Sequence, residues 1–228
     1  MEMEYFNTFI IPTIGRPVLE RAIKSALDQH RETLVVVVFD NEEIFEPIKN
    51  KNVVYLKTDK HVWAVGARNK GYDWLIENKI KTKWISFLDD DDYVDKTWTE
   101  SLEEFKDYDV IVHSMKIHET GRIVPTEGYH TKPNTSHENK LNMGLRRPIR
   151  NYVGCTCSYR FIKYKEKSIR WKSGIPTCDF TIVDDCINSG MSHIKTGRIS
   201  YHQKIRGLTG FHTKRKFGPH DKWKKNKK

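Results

Sequence analysis

Four consecutive aspartates, Asp89 to Asp92, form the strongest candidate for a chemical site in this sequence. Like charges held this close together repel one another, and burial would raise the pKa values of their carboxyl groups. A multivalent cation or a row of hydrogen-bond donors would relieve that repulsion. Carboxylate oxygens suit hard cations such as Mg²⁺, Mn²⁺ or Ca²⁺ better than zinc. The run therefore predicts a divalent-metal site, and a solvated acidic turn is the alternative.

The position of the aspartates in the chain favours the metal site. They follow the apolar segment Trp84-Ile85-Ser86-Phe87-Leu88, which predicts a buried strand. Open α/β sheets bind their ligands at the carboxyl ends of the strands. A second acid, Asp40, also ends an apolar segment, at 34–39. At such a position it can accept hydrogen bonds from a base or a ribose, and a local turn is the alternative.

The first half of the chain alternates between predicted strands and helices. Strands are expected at 8–11, 34–39, 53–56, 83–88 and 109–113. Helices are expected after Pro17, over 66–77 and over 97–105, the last with a capping box formed by Thr97 and Glu100. Strands separated by helices of this length favour a mainly parallel sheet flanked by helices, which is an α/β fold.

The second half is less regular. Residues 114–150 predict hairpins and loops, 152–159 a further strand, and 180–187 a short helix. The segments 193–196 and 199–204 predict a terminal hairpin. We expect one domain over 1–213, with a nucleotide-binding half at 1–113 and a smaller, irregular half at 114–213.

The net charge of +10 is concentrated at the end of the chain. Residues 214–228 contain eight Lys or Arg and one acid, which predicts a disordered basic tail. Such a tail could contact a polyanion or a membrane surface, or serve solubility alone. No apolar stretch approaches the roughly 18 residues of a membrane span, and the first residues lack a secretory pattern. The four cysteines form no zinc pattern. We therefore expect free thiols and a cytoplasmic location.

Four segments in series resemble the family 2 glycosyltransferases, which have the GT-A fold. They are Phe9-Ile10-Ile11-Pro12-Thr13-Ile14-Gly15-Arg16-Pro17, Val38-Phe39-Asp40-Asn41, Gly66-Ala67-Arg68-Asn69-Lys70-Gly71 and Phe87-Leu88-Asp89-Asp90-Asp91-Asp92. A fainter match is Cys178-Asp179-Phe180, followed by Ser189-Gly190-Met191. The family usually has Glu before this aspartate, so Cys178 departs from the pattern. The first four segments cover residues 7–112 in the right order.

The resemblance implies a nucleotide-diphosphate sugar donor, most readily a UDP-sugar, and Mn²⁺ or Mg²⁺ as cofactor. It implies that Asp91 ligates the metal with Asp89 in support, and His202 is a further possible ligand. The donor contacts that it implies are Pro12, Thr13, Arg16, Asp40, Arg68, Asp89 and Asp90. An ion held there would stabilise the charge that grows on the leaving diphosphate.

An inverting transfer also requires a base that removes the proton of the acceptor hydroxyl. The resemblance implies Asp179 in this role, with Asp185 as the alternative and Asp184 as a weaker competitor. All three also fit ordinary acids of a helix start or helix surface. Trp171 is either a sugar-stacking platform or a core residue.

Two other functions compete with a metal-dependent inverting glycosyltransferase. A nucleotidyltransferase would share the α/β fold and the carboxylates, but the first strand lacks a Gly-rich phosphate loop followed by lysine. A non-catalytic module would bind nucleic acid through the basic tail. The sequence leaves the acceptor open among a glycan, a lipid-linked group, a protein and a nucleic acid.

Overall fold

The computed structural model of the chain describes residues 4–119, 121, 123–124, 153–173 and 178–203. The strands in these residues are β1 Glu4–Thr13, β2 Thr33–Phe39, β3 Val53–Lys57, β4 Lys81–Phe87, β5 Tyr93–Val94, β6 Val110–Ile117, β7 Ile123–Val124, β8 Cys157–Arg160 and β9 His193–Gln203. The helices are α1 Leu19–Leu27, α2 Trp63–Glu77, α3 Trp98–Glu104, α4 Phe161–Glu166 and α5 Cys178–Asn188. A short 3₁₀ turn at Gly154–Thr156 precedes β8.

One sheet contains all of these strands, in the order β3-β2-β1-β4-β8-β6-β9-β5, with β7 beside β6. Strands β3, β2, β1 and β4 are mutually parallel. Strand β8 joins β4 and β6 in antiparallel pairs, whereas β9 runs parallel to β6. The predicted α/β class with a mainly parallel sheet flanked by helices is confirmed, since the sheet curls between helices on both faces.

The two faces of the sheet follow from the alternation of side chains along its strands. On one face, Ile10 and Val36 pack with α2, α4 and α5. On the other face, Phe9 and Val35 pack with α1 and α3. All seven residues of β2 are buried, as expected for a strand covered on both sides. Helix α2 lies very close to the sheet, because a Cβ atom at Gly71 would stand 2.6 Å from Cγ2 of Ile10.

The predicted strands and helices of the first half are confirmed, with some changes at their ends. Helix α2 begins at Trp63, three residues before the predicted start, and β6 runs to Ile117. The two-residue strand β5 was not predicted. Thr97 is the N-cap of α3 as expected, but its side chain makes no capping hydrogen bond, so the predicted capping box is wrong.

The predicted terminal hairpin is wrong, because 193–203 is one strand. Strand β9 stays parallel to β6 throughout, with Val112 opposite Lys195 and Ser114 opposite Ile199. The residues between Lys195 and Ile199 form a bulge in which Gly197 has a φ of +71°. The turn-like sequence around this glycine therefore forms a bulge within the strand and does not reverse the direction of the chain. The predicted strand at 152–159 is shortened to β8 by the preceding 3₁₀ turn.

Several sequence predictions lie outside the described residues, including the loops at 125–150 and the basic tail at 214–228. Cys155, Cys157 and Cys186 are buried free thiols, as expected. Across the described ranges, no helix combines the length and the apolar character that crossing a membrane requires.

Candidate functional site

The predicted donor residues meet at one edge of the sheet. Thr13 ends β1, Asp40 follows β2, and Asp89 follows β4 by two residues. Because these three strands are parallel neighbours, their carboxyl ends open on the same side. Pro12 lies inside β1, where it pairs with Val38 of β2. The sheet therefore brings together residues that are far apart in the chain.

The four aspartates divide into two exposed and two buried carboxylates. The side chains of Asp89 and Asp91 are 35% and 36% exposed. Asp90 and Asp92 are buried. A turn closed by the Asp92 N–H bond to the Asp89 carbonyl produces this alternation. The partly exposed pair lies at the surface of the site, while the buried pair ties the run to the fold.

Asp90 is held by residues from the end of β1. The Thr13 hydroxyl donates to Oδ2 at 2.5 Å, and Arg16 Nη1 donates to Oδ1 at 2.9 Å. Burial raises the pKa of Asp90 to about 6, although Arg16 and the Thr13 hydroxyl lower it and the neighbouring carboxylates raise it further. At neutral pH the buried Asp90 carboxylate is thus ionised. Its contacts with Thr13 and Arg16 join the carboxyl ends of β1 and β4.

Asp92 is held from the opposite part of the sheet. The Tyr201 hydroxyl, on β9, donates to Asp92 Oδ2 at 2.8 Å and also accepts from the Asp89 N–H at 3.3 Å. Tyr201 is fully buried, and burial raises the pKa of its hydroxyl well above the usual value, so it remains a donor. Sequence reasoning missed Tyr201, because only the sheet order places β9 near the aspartates.

Arginines neutralise the exposed carboxylates. Arg16 pairs with Asp91 as well as with Asp90. Arg68 Nη2 lies 2.5 Å from Asp89 Oδ1. These two arginines were predicted to contact the donor, and the structure places both against the aspartate run. A guanidinium that pairs with a carboxylate can pair with phosphate oxygens by the same geometry.

Arg68 is itself positioned by the second half of the chain. Its guanidinium lies over the Trp171 ring, 4.2 Å from the centroid. The side-chain amide of Asn69 accepts a hydrogen bond from the backbone N–H of Trp171 at 3.0 Å and donates one to the backbone carbonyl of Trp171 at 2.8 Å. Trp171 is only 3% exposed and packs against Phe87. Its role as a core residue is therefore confirmed, and its ring face is occupied by Arg68.

Asp40 receives its hydrogen bonds from the segment that leads into α2. The N–H groups of Val62 and Trp63 donate to its two oxygens at 2.7 and 2.9 Å. His61 Nδ1 lies 2.7 Å from Oδ2, and the Thr58 hydroxyl lies 3.4 Å from Oδ1. Asp40 is 3% exposed. It thus anchors the start of α2 to the end of β2.

His202 lies among residues of β5, β6 and the following turns. Its ring stacks on Tyr93 with centroids 4.6 Å apart, and its Nδ1 lies 3.1 Å from His118 Nε2. Its Nε2 lies 3.0 Å from Asp95 Oδ1. Tyr201 and His202 are adjacent in a strand, so their side chains point to opposite faces. The metal role of His202 stays a prediction.

The candidate base residues lie on α5. The helix begins at Cys178, so Asp179 is in its first turn, and its side chain is outside the described part of the chain. Ile182, Val183 and Cys186 are buried. Asp185 Oδ2 pairs with Lys172 Nζ at 2.6 Å. The assignment of the base to Asp179 or Asp185 stays a prediction.

The donor set fits a hard divalent cation that arrives with its ligand. Within the described residues, no three His, Cys, Asp or Glu side chains are grouped to hold a metal ion. Asp89 and Asp91 offer oxygen ligands from two partly exposed side chains. Magnesium-type ions in phosphate sites take one or two carboxylates and complete their shell with water and substrate phosphates. The residues present therefore fit such an ion and do not fit a closed zinc site.

A cavity of about 530 Å³ lies beside this site, between β3 and α2. It is lined by Tyr55, Asn69 and Trp74 among others, and it contains none of the predicted donor residues. We therefore locate the candidate site by its carboxylates and arginines rather than by cavity size.

The fold and the site define an α/β protein with a carboxylate-rich candidate site at the carboxyl ends of parallel strands. The family model described as "Glycosyl transferase family 2" matches residues 8–169. The chain therefore belongs to glycosyl transferase family 2. The match contains the aspartate run, Arg16 and Arg68. No curated protein sequence matches the chain.

Solved structures of S. aureus TarS are similar to this chain in fold. For TarS 1-349 the TM-score is 0.66 at 18% identity, over 87% of this chain and 60% of that one. For TarS 1-349 in complex with UDP-GlcNAc the TM-score is 0.66 at 19% identity, over 96% of this chain and 64% of that one. A complex of TarS 1-349 with UDP gives a TM-score of 0.63 at 17% identity, over 88% of this chain and 60% of that one. The likeness shows the GT-A type of fold, and the chain spans less than two thirds of these TarS chains.

Proposed function

We propose that this chain is a metal-dependent, inverting glycosyltransferase that moves a sugar from a nucleotide-diphosphate donor to an acceptor hydroxyl. One observation carries the proposal. Asp89 and Asp91 lie partly exposed at the carboxyl end of β4, and they alternate with the buried carboxylates Asp90 and Asp92, which anchor the run to the fold. Family membership and the UDP-GlcNAc and UDP complexes of TarS support a UDP-sugar as the donor.

The charges of the site suit a diphosphate. In the structure, Arg16 and Arg68 balance the negative charge of the exposed carboxylates. A divalent cation bound by Asp89 and Asp91 would take over that balance and stabilise the charge that develops on the leaving diphosphate. The two guanidinium groups would then be able to pair with phosphate oxygens. Buried Asp90 and Asp92 keep the exposed pair in place through Thr13 and Tyr201.

The second half of the chain supplies the other requirement of the reaction. An acceptor hydroxyl attacks the anomeric carbon more readily when a carboxylate takes its proton. We assign this role to Asp179, in the first turn of α5, with Asp185 as the alternative. The ion pair between Asp185 and Lys172 favours Asp179, because the Asp185 carboxylate is already engaged by an ammonium group.

A hydrolysis screen tests this function. The purified chain is incubated with a panel of UDP-, GDP-, CDP- and ADP-sugars and Mn²⁺, with and without added pyrophosphate, and the release of nucleoside diphosphate and the consumption of pyrophosphate are measured separately. We expect slow release of nucleoside diphosphate from one donor class, abolished in Asp91→Asn. Asp73→Asn, an exposed acid on α2, serves as the control and should keep full activity. Turnover only when pyrophosphate is added, with consumption of pyrophosphate and formation of a nucleoside triphosphate and a sugar 1-phosphate, would indicate a nucleotidyltransferase, and no turnover of any donor would contradict the proposal.

A further inference from the structure

The first residue of α2, Trp63, has an unusual backbone conformation. Its φ is +64°, in the left-handed region that bulky side chains rarely adopt. Burial of the indole does not offset this strain, because 39% of the residue is exposed. Strained residues that the surrounding structure holds in place are concentrated at functional sites. Trp63 is therefore a candidate for a role in binding.

Asp40 holds Trp63 in this conformation. It accepts hydrogen bonds from the N–H groups of Trp63 and Val62, and its other contacts are His61 and Thr58. The two backbone hydrogen bonds fix residues 62 and 63 against the end of β2.

The Trp63 ring is braced by its neighbour but remains accessible. The ring centroids of His61 and Trp63 lie 4.1 Å apart with the planes at 63°, an edge-to-face arrangement. The His61 side chain is 30% exposed. The histidine thus supports one part of the indole, while the exposed surface offers an aromatic ring to a ligand.

The sheet order indicates which part of a donor this ring would meet. Asp40 follows β2, Thr13 ends β1 and the aspartates follow β4, so these sites are arranged in the order β2, β1, β4. Strand β8 and the second half of the chain continue on the far side of β4. Two strand spacings, about 10 Å, separate the β2 end from the β4 end. Trp63 thus lies on the flank away from the acceptor half, at a distance that a ribose can bridge from a diphosphate.

Helix α2 gives the same arrangement independently. Arg68 lies five residues after Trp63, which is about 7.5 Å along the helix axis. Its guanidinium contacts Asp89 in the aspartate run. One helix therefore joins the residue held by Asp40 at the end of β2 to an arginine that contacts the aspartate run after β4.

We propose that the base of the nucleotide donor stacks on Trp63, and that Asp40 is the positioning residue that holds this ring in place. This inference rests on the proposed function, because it assumes a nucleotide donor at the aspartate run. Aromatic stacking accepts any base, so Trp63 contributes affinity, and selectivity among bases has to come from neighbouring polar groups.

Calorimetric titrations of the full chain with Mn²⁺ test the proposal with two probes. UDP carries the base, whereas pyrophosphate, measured by competition with UDP, does not. We expect Trp63→Ala to weaken UDP binding about 5- to 100-fold, as for other base–aromatic stacks. Pyrophosphate binding should change less than twofold, and Trp63→Phe should keep most of the UDP affinity. Ile162→Ala, at an exposed apolar residue of α4, is the control.

A double variant separates positioning from direct contact by Asp40. If Asp40 acts through Trp63, Asp40→Ala lowers UDP affinity, and adding it to Trp63→Ala causes little further loss. Losses that add fully would show that Asp40 contacts the base directly and would overturn its positioning role. Equal UDP affinity in Trp63→Ala and wild type, or equal losses for UDP and pyrophosphate, would overturn the stacking role alone. A wild-type chain that binds neither probe would contradict the proposed function as well.

Discussion

The Tyr201 hydroxyl donates a 2.8 Å hydrogen bond to the buried carboxylate of Asp92, across 109 residues of sequence. Because Asp89 and Asp91 are exposed while Asp92 is buried, this contact fixes the run without using the carboxylates that a ligand would need. The last described strand thus supports a site built mainly from the first half of the chain.

The first prediction concerns this contact. Tyr201→Phe removes one hydrogen-bond donor from a buried carboxylate, so we expect the free energy of unfolding to fall by about 2–3 kcal/mol, measured by urea denaturation. Tyr159→Phe is the matched control, since the buried Tyr159 hydroxyl donates to a neutral carbonyl, that of Gly154. Its loss should cost only about 1 kcal/mol. Equal losses in the two variants would show that the charge of Asp92 adds nothing.

The second prediction concerns Asp90, whose pKa is raised from 3.8 to about 6 by burial. Between these values the folded state holds a proton that the unfolded state has released. The contribution of Asp90 to the free energy of unfolding is therefore largest below pH 3.8 and falls by about 3 kcal/mol as the pH rises through 6. Roughly half of that loss lies above pH 5.

Urea unfolding of wild type and Asp90→Asn at pH 5 to 7.5 measures this effect. The variant should gain stability relative to wild type as the pH rises, because its amide does not ionise. Asp73→Asn, at an exposed carboxyl group, should follow wild type at every pH. Parallel pH profiles for wild type and Asp90→Asn would contradict the raised pKa.

The third prediction concerns His113, which is fully buried and stacks on Trp98 with centroids 3.8 Å apart. Burial, followed by the charge of Arg198, lowers its pKa from 6.5 to about 3. The unfolded state takes up a proton at higher pH than the folded state does. The contribution of His113 to the free energy of unfolding is therefore complete above pH 6.5. It falls by about 5 kcal/mol as the pH decreases toward 3.

His113→Phe keeps the stack with Trp98 and removes the titration. We expect a smaller loss of stability between pH 7 and pH 4.5 than in wild type, measured by thermal unfolding at each pH. His113 destabilises the folded state as the pH falls, whereas Asp90 destabilises it as the pH rises. Relative to wild type, His113→Phe should therefore gain stability at low pH and Asp90→Asn at high pH. A profile for His113→Phe as steep as that of wild type would assign the acid sensitivity to other groups.

The fourth prediction concerns the strain at Trp63. Glycine adopts a positive φ without steric cost, whereas alanine does not. We expect Trp63→Gly to be more stable than Trp63→Ala by about 1 kcal/mol in urea unfolding, because both lose the indole and only glycine relieves the strain. Both variants should bind UDP weakly. Equal stability would mean that the chain relaxes the backbone at this residue.

Much of the fold could be predicted from the sequence because its elements carry local patterns. The apolar run of β2 and the helical spacing of Leu19, Ala22, Ile23 and Ala26 in α1 reflect burial directly. The bulge in β9 could not be predicted, since a turn-like Thr196-Gly197 pair also fits a reversal of the chain. Whether it bulges depends on pairing with β6, a distant strand.

The sequence could predict which residues come together at the carboxyl ends of β1, β2 and β4, but not which of the carboxylates are buried. The aspartate run and Arg68 could be recognised from type and position. Which carboxylates are buried depends on Thr13 and Tyr201, which approach from other strands. Trp63 was missed, because α2 was expected to begin at Gly66 and nothing local marks a tryptophan with positive φ.

The central claim, a metal-dependent nucleotide site at Asp91, is tested most directly by thermal unfolding with UDP and Mn²⁺. We expect wild type to gain about 5–10 °C when both are present at a hundred times the dissociation constant, and little with either alone. Asp91→Asn should unfold like wild type without ligand and show no gain with it. No metal-linked shift in wild type with any common nucleoside diphosphate, or a full shift in Asp91→Asn, would contradict the claim.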